Sequence, residues 1–447
     1  MTKITFMGAG STVFAKNIIG DCFLTDCLHD CNVALYDIDP ERLHESKLML
    51  ENLNANINDN RATITTHLGA KQRKAALKDA DFVINAIQVG GYEPSTVADF
   101  EIPKKYGLRQ TIGDTLGIGG IFRGLRTIHV LDGFANDIKA ACPNAWFLNY
   151  TNPMSIVTGY LQRICGIKCV GLCHSVQVCA SNLLKELDIY DKYWPVKWRI
   201  AGINHMAWLL EIEKDGKSLY PEIRKLAERK NRAARKPDGE KHNDMVRFEI
   251  LKHFGYYNTE SSEHTAEYHP YFIKSQYPEL IDEFNIPLDE YPRRCVAQID
   301  SWRKMKYDLT NNVKLTHERT NEYASRIMDA MLTNVPYEIG GNVLNNGLID
   351  NLPREAVVEV PCMVNANGVQ GCHVGSLPLA CAALNMTHIN VHLLTIEAAV
   401  KRSRQLVYEA AMLDPHTRSE MTLDNIRSMC DDLFEAHQRQ GMIPDFT

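Results

Sequence analysis

Three stretches of the sequence carry side chains able to do chemistry. The first is Gly171-Leu172-Cys173-His174-Ser175, where a thiol and an imidazole follow an apolar run. The second is Ile203-Asn204-His205-Met206, a histidine between apolar residues. Such a histidine is ordinarily a packed core residue. Together with Cys173 it can instead form part of a metal site whose remaining positions stay open to water and substrate. The third is Thr259-Glu260-Ser261-Ser262-Glu263-His264, continuing to Glu267 and Tyr268. Carboxylates, an imidazole and a phenol there can supply an acid or a base, although a plain polar loop has the same composition. Cys165, Cys169 and Cys173 recur every four residues without a Cys-x-x-Cys pair. That spacing suits neither zinc nor an iron–sulfur cluster, so Cys165 and Cys169 read as packing residues.

A different chemistry is suggested at the start of the chain. Gly8-Ala9-Gly10-Ser11 follows the run Lys3–Met7 and opens a helical stretch from about Val13. Glycine at 8 permits a tight turn, glycine at 10 lets a pyrophosphate approach the backbone, and a helix N-terminus presents free N–H groups to the anion. The third glycine of the dinucleotide fingerprint is replaced by Val13. Asp37 follows the second predicted strand, 27 residues after Gly10. A carboxylate there accepts hydrogen bonds from both ribose hydroxyls of NAD and repels the extra phosphate of NADP. The competing reading makes Gly8 and Gly10 a simple turn and Asp37 a helix cap.

The elements that must position these residues are legible in outline. Lys3–Met7, Asn32–Tyr36, Ala62–Thr66, Phe82–Ile87, Ala145–Asn149 and Lys168–Leu172 read as strands. Helical patterns separate them, one opened by Pro40 and one marked by Ile121, Leu125 and Ile128. This alternation predicts an α/β fold with an N-terminal Rossmann-like doubly wound sheet over residues 1–195. An α+β catalytic domain is expected over residues 196–447. Its helices are Pro221–Arg232, Asn243–Phe254, Glu322–Thr333, Thr395–Leu413 and Leu423–Gln438, with a β-like run at Ala356–Val364. The basic segment Arg229–Lys241 reads as a solvated loop or, alternatively, a mobile lid.

Composition narrows the function classes. Of the 447 residues, 49 are Lys or Arg and 55 Asp or Glu, for a net charge of −6. That balance argues against nucleic acid or an anionic membrane as partner. No run approaches the ~18 apolar residues of a membrane span, and the N-terminus lacks a signal-peptide pattern. The thirteen cysteines are an odd number scattered among apolar residues, as expected of reduced thiols in a cytoplasmic protein.

Several motifs together resemble glycoside hydrolase family 4, the NAD- and manganese-dependent glycosidases. They are Gly8-Ala9-Gly10-Ser11-Thr12, Tyr36-Asp37-Ile38-Asp39, Asp114-Thr115-Leu116-Gly117-Ile118-Gly119-Gly120, Asn149-Tyr150-Thr151-Asn152-Pro153-Met154, Gly171-Leu172-Cys173-His174-Ser175 and Gly202-Ile203-Asn204-His205. The resemblance continues through Glu260-Ser261-Ser262-Glu263-His264, Leu348-Ile349-Asp350-Asn351-Leu352-Pro353 and Asp414-Pro415-His416-Thr417. The Cys-His-Ser triplet and the glutamate-rich 260s are most similar to the α-galactosidase branch.

The resemblance implies a route that departs from two-carboxylate glycoside hydrolysis. NAD⁺ oxidises the sugar at C3, a metal polarises the ketone, a base removes the C2 proton, the aglycone leaves from C1, water adds, and the hydride returns. It implies NAD on Gly8, Gly10, Ser11 and Asp37, and Mn²⁺ on Cys173 and His205. It also implies sugar hydroxyls on Asn152, with Asn149 as a further candidate. His174 takes the position of the acid, and Glu263 is the first choice for the base, ahead of His264 and Tyr268. The acidic stretch Gln88–Pro94 favours an unphosphorylated sugar, and the family leads us to expect a homodimer or homotetramer. The expected substrate is therefore a small α-galactoside such as melibiose. Alternatives are an α-glucosidase, an α-galacturonidase or α-glucuronidase using Arg293 and Arg294 for a uronate, a lactate/malate-type dehydrogenase, or a dinucleotide-sensing protein without turnover. Thiolate ligands by themselves suit zinc or iron better than manganese, and an exposed catalytic thiolate predicts an activity that needs reductant.

Overall fold

The run Lys-Ile-Thr-Phe-Met forms β1 (Lys3–Met7), whose last four residues are buried, as they must be in a sheet covered on both faces. The structure is a computed structural model that describes residues 1–447 except Val313. The further strands of this half are β2 (Asn32–Asp37), β3 (Thr63–Leu68), β4 (Phe82–Asn85), β5 (Trp146–Asn149) and β6 (Cys169–Leu172). Their spatial order is β3-β2-β1-β4-β5-β6 and every pair is parallel. This is the doubly wound order, and its connections reverse direction between β1 and β4. The crevice at that switch point is where the Gly8 turn meets the end of β4. The strand expected over Phe82–Ile87 stops at Asn85, whose side chain turns to donate to Asn149 Oδ1 at 2.9 Å.

The sheet does not end at β6. Seven more strands follow: β7 (Lys197–Ile203), β8 (Met206–Lys214), β9 (Lys217–Ser218), β10 (Tyr257–Asn258), β11 (Tyr337–Leu344), β12 (Val357–Asn365) and β13 (Gly368–Gly371). β11 pairs antiparallel with β6, β12, β7, β8 and β10 continue the line, and β13 on β12 and β9 on β8 bring the sheet to thirteen strands among the described residues. Position 195, expected to divide two domains, thus falls inside a chain whose halves share one sheet. β7 joins β12 through a single bridge, Gly202 to Glu359. The β7–β8 hairpin packs into the main core beside β12, and its tip, Asn204-His205, comes against Cys173. Buried Glu359 braces the tip by accepting from Asn204 at 3.2 Å and Asn342 at 2.9 Å. Burial pushes the Glu359 carboxyl above its ordinary range.

Helices complete the frame. The glycine-rich helix Gly117–Ala141 lies under the C-terminal helices, and Phe122, Leu125, Val407, Met429 and Phe434 share one apolar cluster. Its start is glycine-rich for a packing reason: a Cβ on Gly119 would stand 2.2 Å from the Gly113 carbonyl oxygen. The helix expected over Thr395–Leu413 is two helices, Leu379–Lys401 and Arg404–Leu413. They part at Arg402, which caps the first in a left-handed conformation, φ +53°. Contrary to the expectation from apolar runs, Leu379–Lys401 is long and apolar enough to cross a membrane. Half of its apolar stretch is buried in the protein, with Asn385, His388 and His392 buried along it. In the basic segment, residues through Ala234 end the helix Tyr220–Ala234. Lys230, Arg232 and Arg235 there pair with Glu186, Glu228 and Glu283, the arrangement of a solvated charged face.

Candidate functional site

The nucleotide-like turn is built by backbone constraints. Gly8 has φ +85°, and a Cβ there would lie 2.7 Å from the Ala86 carbonyl oxygen, so only glycine fits. The Gly8 and Ala9 amides donate to the Tyr36 carbonyl at 3.0 Å. Ser11 caps the helix Thr12–Phe23 without using its side chain, leaving an exposed hydroxyl at the helix N-terminus. Val13, in place of the third glycine, is exposed. Asp37 is not a helix cap. Asp39 caps the helix Pro40–Ile57, accepting from Glu41 and Arg42. Asp37 instead accepts from the Gly10 amide at 2.6 Å and from the Ile38 and Asp39 amides at 2.8 and 2.9 Å. A glycine turn, a free helix N-terminus and a carboxylate beyond β2 form a cradle that fits a dinucleotide.

Cys173 and His205, far apart in sequence, meet. One ligand atom each from Cys173, His205 and Glu260 lies within 4.8 Å of the others. His205 Nε2 is 3.5 Å from Glu260 Oε2. A thiol, an imidazole and a carboxylate converging on one point fit a divalent ion. Asp114, His205 and His264 form a second set that meets the same distance. In the absence of an ion, burial lowers the His205 pKa, but the Cys173 sulfur and the Glu260 carboxylate outweigh it and raise the pKa to about 10. Burial alone would raise Glu260 and Asp114. For Glu260 the His205 and His264 rings prevail and hold the carboxyl low. For Asp114 the Arg123 guanidinium does so, with the same two imidazoles. Burial holds His264 below its ordinary pKa, and its Nδ1 lies 2.7 Å from Ser261 Oγ.

The remaining expected residues divide. Asn152 joins the cluster, donating to Asp114 Oδ2 at 3.0 Å while its own Oδ1 is buried without a partner. Asn149 does not. It is fully buried, and its amide is taken up by Asn85, Thr151 and Met154, so it braces the β4–β5 end instead of facing a sugar. Glu263 also stands apart, because its carboxylate is held by Arg294 at 2.5 Å. Tyr268 lies in the site, its hydroxyl 3.4 Å from His205 Nδ1, but burial raises its pKa far above that of a useful base. His174 begins the helix His174–Glu186, half exposed, with Nε2 2.8 Å from Glu322 Oε2.

Sequence reasoning passed over Asp114, Glu260 and Glu322. Asp114 had a signal, an acid set among small residues just before a glycine-rich helix. Its loop is held by buried Glu267, which accepts from the amides of Thr111, Ile112 and Gly113 at 2.8, 3.2 and 2.8 Å. Glu260 was one of three carboxylates in its stretch, and nothing local separated it from Glu263.

Comparison with known proteins bears on this arrangement. Residues 3–189 match the model of the family 4 glycosyl hydrolases, and residues 200–417 match that of the family 4 glycosyl hydrolase C-terminal domain. An alpha-galactosidase of Bacillus subtilis (strain 168) is 61% identical over 437 residues, 98% of either chain. One from Rhizobium meliloti (strain 1021) is 32% identical, over 98% of this chain and 88% of the other. The crystal structure of a 6-phospho-alpha-glucosidase from gut microorganisms, in complex with NAD and Mn²⁺, superposes with a TM-score of 0.79. It is 22% identical and the match covers all of both chains.

Proposed function

The chain belongs to family 4 of the glycosyl hydrolases, and from that premise we infer that it is an NAD- and Mn²⁺-dependent α-galactosidase acting on α-galactosides such as melibiose. The observation that carries this reading is the convergence of Cys173, His205 and Glu260 within 4.8 Å, beside Asn152 and Asp114. The likeness to the Bacillus subtilis alpha-galactosidase supports galactose as the sugar. A uronide is disfavoured: Arg294 is paired with Glu263 and Glu290, and Arg293 with Glu290, so neither is free for a substrate carboxylate.

When bound, NAD⁺ supplies a hydride acceptor for C3 and Mn²⁺ a Lewis acid for its oxygen, which together make the C2 proton removable. The protein's own groups do the rest. Gly8, Gly10 and Ser11 offer the turn and helix N-terminus to the pyrophosphate, and Asp37 faces the ribose. Cys173 and His205 hold the metal with Glu260 as a third donor. Asn152, fixed by Asp114, orients sugar hydroxyls. His264 is the base in preference to Glu263, since it lies inside the cluster with its pKa lowered by burial while Glu263 is tied to Arg294. His174 protonates the departing oxygen. We further infer a cytoplasmic homodimer or homotetramer. Its thirteen cysteines are free thiols, and exposed Tyr307, Val335 and Leu379 supply apolar surface for contact between copies.

The test is hydrolysis of p-nitrophenyl α-galactoside by protein stripped of metal and nucleotide, with NAD⁺, Mn²⁺ and reductant returned singly and together. Activity only with all three, with solvent deuterium entering at C2 in heavy water, is the expected result. Full activity without NAD⁺ would overturn the mechanism. Cleavage of glucosides or uronides in place of galactosides would overturn the substrate alone.

A further inference from the structure

Glu322 lies outside every motif discussed above, yet its carboxylate meets the ring of His174. Nε2 of His174 and Oε2 of Glu322 are 2.8 Å apart, the ring half exposed and the carboxylate about nine-tenths buried. The pair is set in a frame. Tyr150 stacks against His174 at 6.3 Å, and Tyr323 meets it edge-on at 6.1 Å. The Tyr323 hydroxyl also donates to the Cys173 carbonyl at 3.0 Å, tying the residue after Glu322 to the one before His174.

The segment that carries Glu322 is itself anchored. The Glu322 amide donates to Thr320 Oγ1 at 3.1 Å. Thr320 donates through its amide and hydroxyl to buried Asp21 at 2.9 and 2.7 Å. His317 Nε2 lies 2.8 Å from the same carboxylate. Asp21 sits in the helix Thr12–Phe23, the one that opens at the glycine turn. A continuous set of contacts thus runs from the nucleotide-side helix through Thr320 and Glu322 to His174.

We propose that Glu322 is the positioning residue of the general acid. A carboxylate on one ring nitrogen fixes the orientation of an imidazole. With Nε2 paired to Glu322 at 2.8 Å, Nδ1 is the nitrogen left to hand a proton to the glycosidic oxygen. The C1–O bond breaks as that proton arrives, its electron pair going to the oxygen while the pair left at C2 by deprotonation forms the C1=C2 bond, and the neutral ring then takes a proton from the water that adds at C1. This inference rests on the reading of His174 as the acid.

The experiment compares melibiose, whose leaving group needs a proton, with 2,4-dinitrophenyl α-galactoside, whose leaving group does not. The holoenzyme is compared with E322Q, E322D and H174N. General acid catalysis is worth about 10²–10⁴-fold, so H174N should lose about that factor in kcat on melibiose and far less on the activated substrate. E322Q should show the same selective pattern, about 10–100-fold as for other orienting partners, with KM little changed. E322D, which keeps the charge, should recover part of the loss. Equal losses of E322Q on both substrates, beside a selective H174N, would overturn the role of Glu322 and leave the acid reading intact. An unselective H174N would overturn the acid reading and the proposal with it. Should E322Q fail to fold, a selective loss in E322D supports the proposal and an unselective one overturns it.

Discussion

Two asparagines three positions apart have opposite environments, and their substitutions should separate stability from catalysis. Asn149 accepts from the Asn85 amide and the Thr151 backbone in a fully buried setting. Asn149→Ala leaves those donors unpaired, at about 1–3 kcal/mol each. Its melting temperature should fall while the KM for galactoside stays near that of the parent. Asn152 bonds the ionised Asp114 carboxylate. A hydrogen bond to a charged group is worth about 1.5–3 kcal/mol, or roughly 10–100-fold in rate. Asn152→Ala should therefore lower the melting temperature too, but unlike Asn149→Ala it should also lose roughly 10–100-fold in kcat/KM. An Asn152→Ala that melts early but turns over normally would remove Asn152 from the site. Cys173 also has a consequence for metal choice. A thiolate with one imidazole favours soft ions, but Glu260 as third donor makes the set harder and brings it closer to manganese. Glu260→Cys should shift the preference toward Zn²⁺ in a metal competition titration. Cys173→Ser should weaken metal binding at least by the ~10–100-fold that orienting partners alone command.

At the scale of elements, the parallel half was readable because each strand is a short apolar run between turn residues, and the observed ends lie within two residues of those expected. The second half was not. Met206–Lys214 begins Met-Ala-Trp-Leu-Leu, an apolar run that periodicity cannot divide between helix and strand. β9 and β10 are two residues each and exist only through their partners. Cys173 and His205 could be nominated from the chain, but their meeting depends on β11, β12 and β7 being laid beside β6, a set of pairings that no local pattern encodes. The confusion of Glu263 with Glu260 has a similar cause. Ser261 caps the helix Ser262–Tyr268, so Glu260 precedes the helix and turns to His205, while Glu263 rides on its first turn and meets Arg294. The same helix carries Glu267, which gathers three amides of the loop before Asp114. Burial raises its carboxyl to about 7 despite those donors. Glu267→Ala should unpair the three amides and lower both melting temperature and kcat/KM. Glu267→Gln keeps one accepting oxygen but sets an NH2 against an amide donor, so it should lose less of both than Ala. Equal damage from the two substitutions would show that the pair of carboxylate oxygens, not the size of the side chain, shapes the loop.

For the whole molecule, the buried histidines set the acid limit. Burial lowers His269 and His392 from 6.5 to about 3. A base whose folded pKa is depressed is neutral in the fold and takes up a proton on unfolding, so stability is complete above pH 6.5 and is lost as pH falls toward 3. Each proton changes stability by about 1.4 kcal/mol per pH unit. Glu267 acts in the opposite sense between 4.5 and 7, because its raised pKa keeps a proton on the fold that the unfolded chain has released. From pH 6.5 to 4.5 the three groups leave a net uptake of one proton on unfolding, and below 4.5 Glu267 drops out and the uptake becomes two. Burial also lowers His264, His388 and His416, which adds to the loss, while His174, raised by Glu322, subtracts from it. The denaturant midpoint should thus fall below pH 6.5 and fall more steeply below 4.5. His392→Gln removes one titrating ring without removing polarity. In chemical denaturation between pH 6.5 and 5 it should flatten the slope by about 1.4 kcal/mol per pH unit. A slope unchanged by that substitution would show that His392 is already protonated in the fold and that the acid limit arises elsewhere.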